Sequence, residues 1–302
     1  MTEDETREKL AKSLLASFPE PSGQAKAVAH SASLAILLRD QRIKELERRL
    51  APSTFTLATA THIGSRATNQ DRALAVRSRS GSAWVAVVDG MGGHPNGDGA
   101  AEVAMGAIQK EIATLRSQPQ QAIRAAHNAV TKLAEPRHGR RTPGAAAAIV
   151  AIRPLEDGRA LYQCANVGDV RAYKLHEQGW TLLSVDQNVN GALYQAGRTS
   201  LSDLTEDPCE SGLLTYLGDP VHGGAQPIVS TGFLSPGEGI LVVSDGVWDP
   251  IHRSKQPAPR PPDGWIQLAS PAALEELCLQ TVQLSTRPDN ATAAIAIFGG
   301  EP

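Results

Sequence analysis

The stretch "VAVVDGMGGHPNGDG", residues 85–99, opens as a strand and ends in a run no strand can continue. Val85 to Val88 are apolar and mostly β-branched, which suits a strand core. Asp89 follows at once, and then glycines and a proline. A carboxylate at the end of a rigid apolar strand is held in a fixed position. Beside a dry core it is costly unless it is paired or bound to a metal ion.

The same arrangement recurs. A second apolar strand ends at Asp245 in "ILVVSDG", and a third, "ATAAIAIF", begins directly after Asp289 and Asn290. Cationic partners are sparse: Arg287 is near Asp289 in sequence, while Asp89 and Asp245 have no local Lys or Arg. A divalent cation is the economical explanation, and oxygen-only ligands favour Mg²⁺ or Mn²⁺ over zinc. Gly90 can offer its carbonyl without a side chain in the way, and the glycines beyond it let backbone approach an ion. Taken singly, each aspartate also reads as a turn residue. Three on strongly apolar strands weigh toward a shared site.

Outward from these strands, "FTLATATHIG", "RALAVRSR" and "AWVAVVDG" read as three strands separated by Gly- and Asn-rich turns. "DGAAEVAMGAIQKEIATLRS" and "QQAIRAAHNAVTKLAE" carry apolar residues at helical steps. Strands return at "GAAAAIVAI", "ALYQCANVG", "VRAYKL" and "WTLLSV". An irregular stretch follows at about 186–212, then strands "QPIVSTGFL" and "GILVVSDG", a helix "PAALEELCLQTVQLS" and the last strand. Hairpins dominate and helices come in blocks, so we expect an α+β fold with mostly antiparallel sheets.

Residues 1–50 differ in texture. Ile36, Ile43 and Leu50 stand seven apart with Leu46 between, a helical seam of about two heptads, shorter than a coiled coil needs. We expect a helical N-terminal extension over 1–50 and one domain over 51–302. The extension is read either as a helix packed on its own domain or as a dimer or partner helix.

The net charge of −3 among 302 residues excludes the basic excess of a nucleic-acid surface. No apolar run reaches the length of a bilayer span. The N-terminus is acidic and lacks the basic start and apolar stretch of a secretory leader, so a cytoplasmic protein is expected. Cys164, Cys209 and Cys278 are widely separated and odd in number, unlike a disulfide or zinc framework, and Cys164 and Cys278 read as core residues.

Seven blocks stand in a telling order: "GSRATNQDR" at 64–72, "VVDGMGGH" at 87–94, "TPGAAAAIV" at 142–150, "ANVGDVRAY" at 165–173, "LLTYLGD" at 213–219, "VVSDGVWD" at 242–249 and "RPDNATAAIAIF" at 287–298. In these the chain, over roughly 55–299, resembles the metal-dependent protein phosphatases of the PPM family, the protein phosphatase 2C type, in their bacterial form. The resemblance implies two antiparallel β-sheets packed face to face with helices on each outer side. It implies hydrolysis of phosphoserine and phosphothreonine by an activated water, with two Mn²⁺ or Mg²⁺ ions and no covalent intermediate. Asp89 would bridge the two ions, the Gly90 carbonyl would bind one, and Asp245 and Asp289 would complete the other. Asp71 would hold a water of the metal site, and Arg66 would grip the substrate phosphate. Asp169 and Asp249 match positions that take a weaker third ion in some relatives. Implied partners are a phosphorylated protein and an opposing Ser/Thr kinase.

The chain departs from the family pattern in places. Gln70 stands where many relatives have Glu. Met91 replaces a histidine proposed in eukaryotic members as general acid; His62 and His94 lie near in sequence, but both read as surface or packing residues. "VDQNVN" at 185–190 replaces the usual Asp-His-Ser. The Pro-rich "IHRSKQPAPRPPDGW" at 251–265 reads as an irregular surface loop, or as a docking segment for a partner. Two competing readings are kept: a catalytically weak phosphoprotein-binding regulatory module of the same fold, and a hydrolase of small phosphate esters.

Overall fold

The computed structural model describes residues 55–91, 96–114, 117–133, 142–198, 212–220, 225–254 and 265–299. The expected N-terminal helices, His94, Cys209 and most of the Pro-rich loop lie outside these residues.

Among the described residues, ten strands form two five-stranded sheets, antiparallel throughout. In chain order the elements are β1 (Phe55–His62), β2 (Asp71–Arg77), β3 (Ala83–Gly90), α1 (Gly97–Ile112), α2 (Pro119–Thr131), β4 (Ala145–Pro154), β5 (Ala160–Val167), β6 (Arg171–His176), β7 (Gly179–Leu182), α3 (Val189–Gln195), β8 (Ile228–Leu234), β9 (Gly239–Val243), α4 (Asp245–Ser254), a 3₁₀ turn (Trp265–Ala269), α5 (Pro271–Leu284) and β10 (Ala291–Phe298). One sheet runs β1-β10-β9-β6-β7 and the other β2-β3-β4-β5-β8. This is the α+β sandwich expected from the sequence.

Strand periodicity explains the layers. Side chains alternate across a strand with period two. Along β3, Ala83, Val85 and Val87 face the layer between the sheets, where Ala148, Val150, Ala294 and Ile240 meet them. Trp84, Ala86 and Val88 face the opposite way, onto α1 and α2 through Ala104, Ile108 and Ile123. A third layer packs Leu241, Ile295 and Ile297 against Leu274 and Cys278 of α5. Both faces of the central strands are dry, so β3 and β10 read as continuous apolar runs rather than alternating ones. Burying each large aliphatic side chain contributes about 1.5–3 kcal/mol. An aspartate at Val87 would put an unpaired charge in the innermost layer and would break the sandwich.

The helix ends follow local chemistry. Pro119 sits in the first turn of α2, and the Gln118 amide donates to Gln121 Oε1 at 2.9 Å in a reciprocal cap. Ser270 Oγ accepts from the Ala273 amide at 3.2 Å at the start of α5.

Two segments differ from the sequence expectation. The irregular stretch after Val185 contains α3, a short helix without a strong apolar period. The strand ending at Val243 turns into α4, so residues 251–254 are helical rather than loop. Pro250 lies inside that helix, which is why the segment read as irregular. Cys164 and Cys278 are buried and unbridged, as expected. No helix of the described residues is long and apolar enough to cross a membrane.

Candidate active site

Strand register brings the singled-out aspartates to one end of the sandwich. Asp71, first in β2, lies directly opposite Asp89 near the end of β3. In the other sheet β9 ends at Val243, which pairs with Ala293, so Asp245 and Asp289 leave neighbouring strands at the same end. His62 pairs with Ala291, which places the following turn and Arg66 there too. Val167 pairs with Ala147 and Arg171 with Val243, so the Gly168–Asp169 turn joins them.

These residues wall a cleft of about 220 Å³. Among the described residues, Asp89, Asp169, Asp245 and Asp289 supply its carboxylates, and Arg66 its one cation. Gln70, Gly90, Met91, Leu213 and Asn290 complete much of the lining. Asp71 lies behind this wall and is only 3% exposed.

The electrostatics are those of crowded acids. Loss of water around them pushes Asp89 and Asp169 well above the usual carboxylate range, and neighbouring aspartates push both further. Asp245 is pushed up to about 6, first by loss of water and then by Asp289; a hydrogen bond with the Asp89 side chain opposes this. Asp71 is pushed up to about 7, chiefly by burial and further by Asp245 and Asp289. Ser244 Oγ donates to Asp71 Oδ2 at 2.8 Å and itself accepts from the Thr292 amide at 3.0 Å, which ties one sheet to the other. Asp71 Oδ1 is buried with no partner.

The donor set fits a hard divalent cation. Carboxylates outnumber cations, one buried carboxylate oxygen is unsatisfied, and the charged donors on the lining are all carboxylate oxygens. Among the described residues no three acidic, His or Cys side chains already stand at ligand spacing. Arg66 instead donates to Asp289 Oδ2, and Asp89 bonds to Asp245. The cation next to Asp289 is therefore Arg66, from 223 residues away, rather than its sequence neighbour Arg287.

Gly90 is required for a reason the sequence does not reveal. A Cβ there would stand 2.2 Å from the Gly97 carbonyl oxygen and 2.9 Å from that of Gln70. The space is filled by backbone, which presses the start of α1 onto the end of β3. Asp249, one turn beyond Asp245, is not on the lining: both its oxygens accept from Arg253 Nε, at 2.8 and 2.7 Å. His62 Nδ1 accepts from the Gly64 amide at 3.0 Å, a local turn bond.

Several supporting residues escaped the sequence reading. Asn290 Oδ1 accepts from the Gln70 amide at 2.8 Å, and its Nδ2 donates to the Ile63 and Thr68 carbonyls at 2.8 and 3.2 Å. It thereby staples the loop carrying Arg66 to the start of β10. Trp248 Nε1 donates to the Asp169 carbonyl at 3.0 Å. The Arg171 guanidinium lies 3.5 Å over the Trp248 ring and grips Asp186 through Nε and Nη2, the shortest contact being 2.7 Å. The Asn after Asp289 and the Arg two residues after Asp169 were visible signals, but their partners lie far off in sequence.

The antiparallel sandwich, with acids gathered at one end of both sheets, has counterparts among known protein phosphatases. The family model described as protein phosphatase 2C matches residues 58–280, and the chain belongs to that family. A Streptococcus pyogenes serotype M6 protein named for the protein phosphatase 2C type is 25% identical over 210 residues, covering 66% of this chain and 81% of that protein. Among solved structures, the PPM Ser-Thr phosphatase MsPP from Mycobacterium smegmatis, in complex with cacodylate, superposes with a TM-score of 0.63 at 24% identity, covering 80% of this chain and 98% of that one. The catalytic domain of the serine/threonine phosphatase PstP, in complex with two manganese ions, gives 0.58 at 22% identity, covering 82% and 100%.

Proposed function

We propose that the protein is a metal-dependent serine/threonine protein phosphatase. The observation that carries this reading is the convergence of Asp71, Asp89, Asp169, Asp245 and Asp289 on one cleft or its back wall, with Arg66 at the mouth. Asp89, the Gly90 carbonyl, Asp245 and Asp289 would hold two Mn²⁺ or Mg²⁺ ions, and Asp169 a third. Divalent ions in such a site lower the pKa of a shared water and offset phosphate charge.

The chain's own groups then have definable tasks. Asp71, with one oxygen bonded by Ser244 and the other unpartnered, would accept a hydrogen bond from a water of the site and orient it. Arg66, about half exposed in its side chain, can turn from Asp289 to donate two N–H groups to phosphate oxygens. The water adds to phosphorus in line with the departing serine or threonine oxygen, and that P–O bond breaks. Met91 lines the cleft and can donate no proton, so solvent water protonates the leaving oxygen. Asp249, engaged by Arg253, would join only after exchanging that partner. An opposing kinase and a cytoplasmic setting belong to the same reading.

The test is phosphate release from a phosphothreonine peptide and from p-nitrophenyl phosphate, with Mn²⁺ or with chelator. Release should require the metal and should be largely lost in Asp245→Asn. Turnover unaffected by chelator refutes the mechanism. Tight phosphopeptide binding without turnover in Mn²⁺ or Mg²⁺ assigns the chain to the regulatory-module reading instead.

A further inference from the structure

The departure at 185–190 lies against the cleft wall, and its hydrogen bonds converge on one residue. Asn166 Nδ2 donates to the Val185 carbonyl at 2.8 Å. Two residues on, the Gln187 amide donates to the Gly168 carbonyl at 2.9 Å, and the Gly168 amide donates back to Gln187 Oε1 at 3.0 Å. Gln187 Nε2 donates to the Gln226 carbonyl at 2.8 Å, and the Gln187 carbonyl accepts from the Leu214 amide at 2.8 Å. Backbone and side chain together thus engage three segments remote in sequence.

Two of those segments form the cleft. Asp169 and Leu213 both line it, and each is one residue from a group bonded to Gln187. Gly168 has φ +85° and is pressed onto Ala146, another lining residue, so that a Cβ would come within 2.5 Å of the Ala146 Cβ. A buried turn of this kind has no slack, and its amide has Gln187 Oε1 as partner. The Asp169 carbonyl is held from the other side by Trp248.

We propose that Gln187 is a positioning residue: it fixes the Gly168–Asp169 turn and the Leu213 wall, and so sets how strongly the cleft takes up a divalent cation. This deepens the phosphatase reading and rests on it. The side chain touches neither cation nor substrate. It acts through the backbone that carries Asp169, as groups behind a ligand commonly govern metal affinity.

The experiment compares the full-length chain with Gln187→Ala and Gln187→Glu. Glutamate keeps an acceptor for the Gly168 amide and loses the donor to Gln226. Mn²⁺ binding is measured directly by calorimetry, beside Mn²⁺-dependent hydrolysis of p-nitrophenyl phosphate and thermal unfolding without metal. Gln187→Ala should weaken Mn²⁺ binding about ten-fold, raise the Mn²⁺ needed for half-maximal rate to match, and leave kcat at saturating Mn²⁺ within about two-fold. Gln187→Glu should restore most of the affinity. If alanine leaves the chain unfolded, Gln187→Met decides: it fills the space but offers the Gly168 amide no oxygen, so a loss of about ten-fold in Mn²⁺ affinity supports the role and unchanged affinity overturns it. Lower melting temperatures with unchanged Mn²⁺ affinity also overturn it. A parent chain that binds no Mn²⁺ and hydrolyses nothing refutes the phosphatase reading itself, whereas a normal parent with an indistinguishable alanine variant refutes only the role of Gln187.

Discussion

Asp186 and Asp71 are both buried aspartates near one end of the sandwich, and they are treated in opposite ways. Asp186 has its cation built in: Arg171 contacts both its oxygens, and the two side chains are 6% and 4% exposed. Asp71 has only neutral hydroxyls for company, Ser244 foremost, and one oxygen without a partner, with Asp89 directly across the strand pair. A carboxylate with a structural task is neutralised by the chain. A cluster left acidic, at a cost to the fold, is what the proposed uptake of a cation from outside would account for.

That contrast can be broken at either end. The largest effect is expected at the cluster. Asp89→Asn or Asp245→Asn should lower phosphatase activity by about 10³-fold, the several kcal/mol that charge stabilisation by metal supplies. The same substitutions should raise the melting temperature of the metal-free chain, because they relieve repulsion among acids. A fall in melting temperature would mean the cluster is structural after all.

At the other end, Arg171→Met should destabilise the fold by about 3–5 kcal/mol in urea unfolding, since it leaves Asp186 buried and unpaired. Adding Asp186→Leu should recover most of that loss. No recovery would show that Arg171 acts chiefly through its stacking on Trp248.

Metal and pH probe the cluster as a whole. Asp71, near 7, and Asp245, near 6, hold protons in the folded chain that the unfolded chain, with carboxyls near 3.8, releases. Their contribution to metal-free stability is complete below pH 3.8 and is lost as pH rises through 6 and 7. Mn²⁺ at about a hundred times its dissociation constant should restore about 5–10 °C of melting temperature at pH 7.5 and much less at pH 5. Equal shifts at both pH values would count against the cluster as the binding site.

The smallest effect is expected at the link between the two regions. Trp248→Phe keeps a ring under Arg171 and removes the donor to the Asp169 carbonyl, a loss of about 1 kcal/mol. Unfolding should register it, with Arg171 still paired to Asp186.

The sequence made the cluster legible because its evidence is local. An apolar run ending in Asp-Gly is readable within six residues; two such runs, and a third that starts just after Asp289-Asn290, mark three strands of the sandwich. The built-in neutralisation was not legible. Arg171 and Asp186 are 15 residues apart, Arg66 and Asp289 are 223 apart, and only strand register brings them together. Gln187 was visible only as an exception to a motif, because its partners are backbone groups that carry no side-chain signature. The helix from Asp245 was hidden by Pro250, and α3 by its shortness.

The acids are drawn from both sheets: Asp71 and Asp89 from one, Asp245 and Asp289 from the other. On the proposed reading, an ion held among them would be a rivet through the sandwich as well as a reagent. Manganese supply would then set how long the polypeptide resists proteolysis together with its rate of turnover, since a loosened sandwich is cleaved before it is idle.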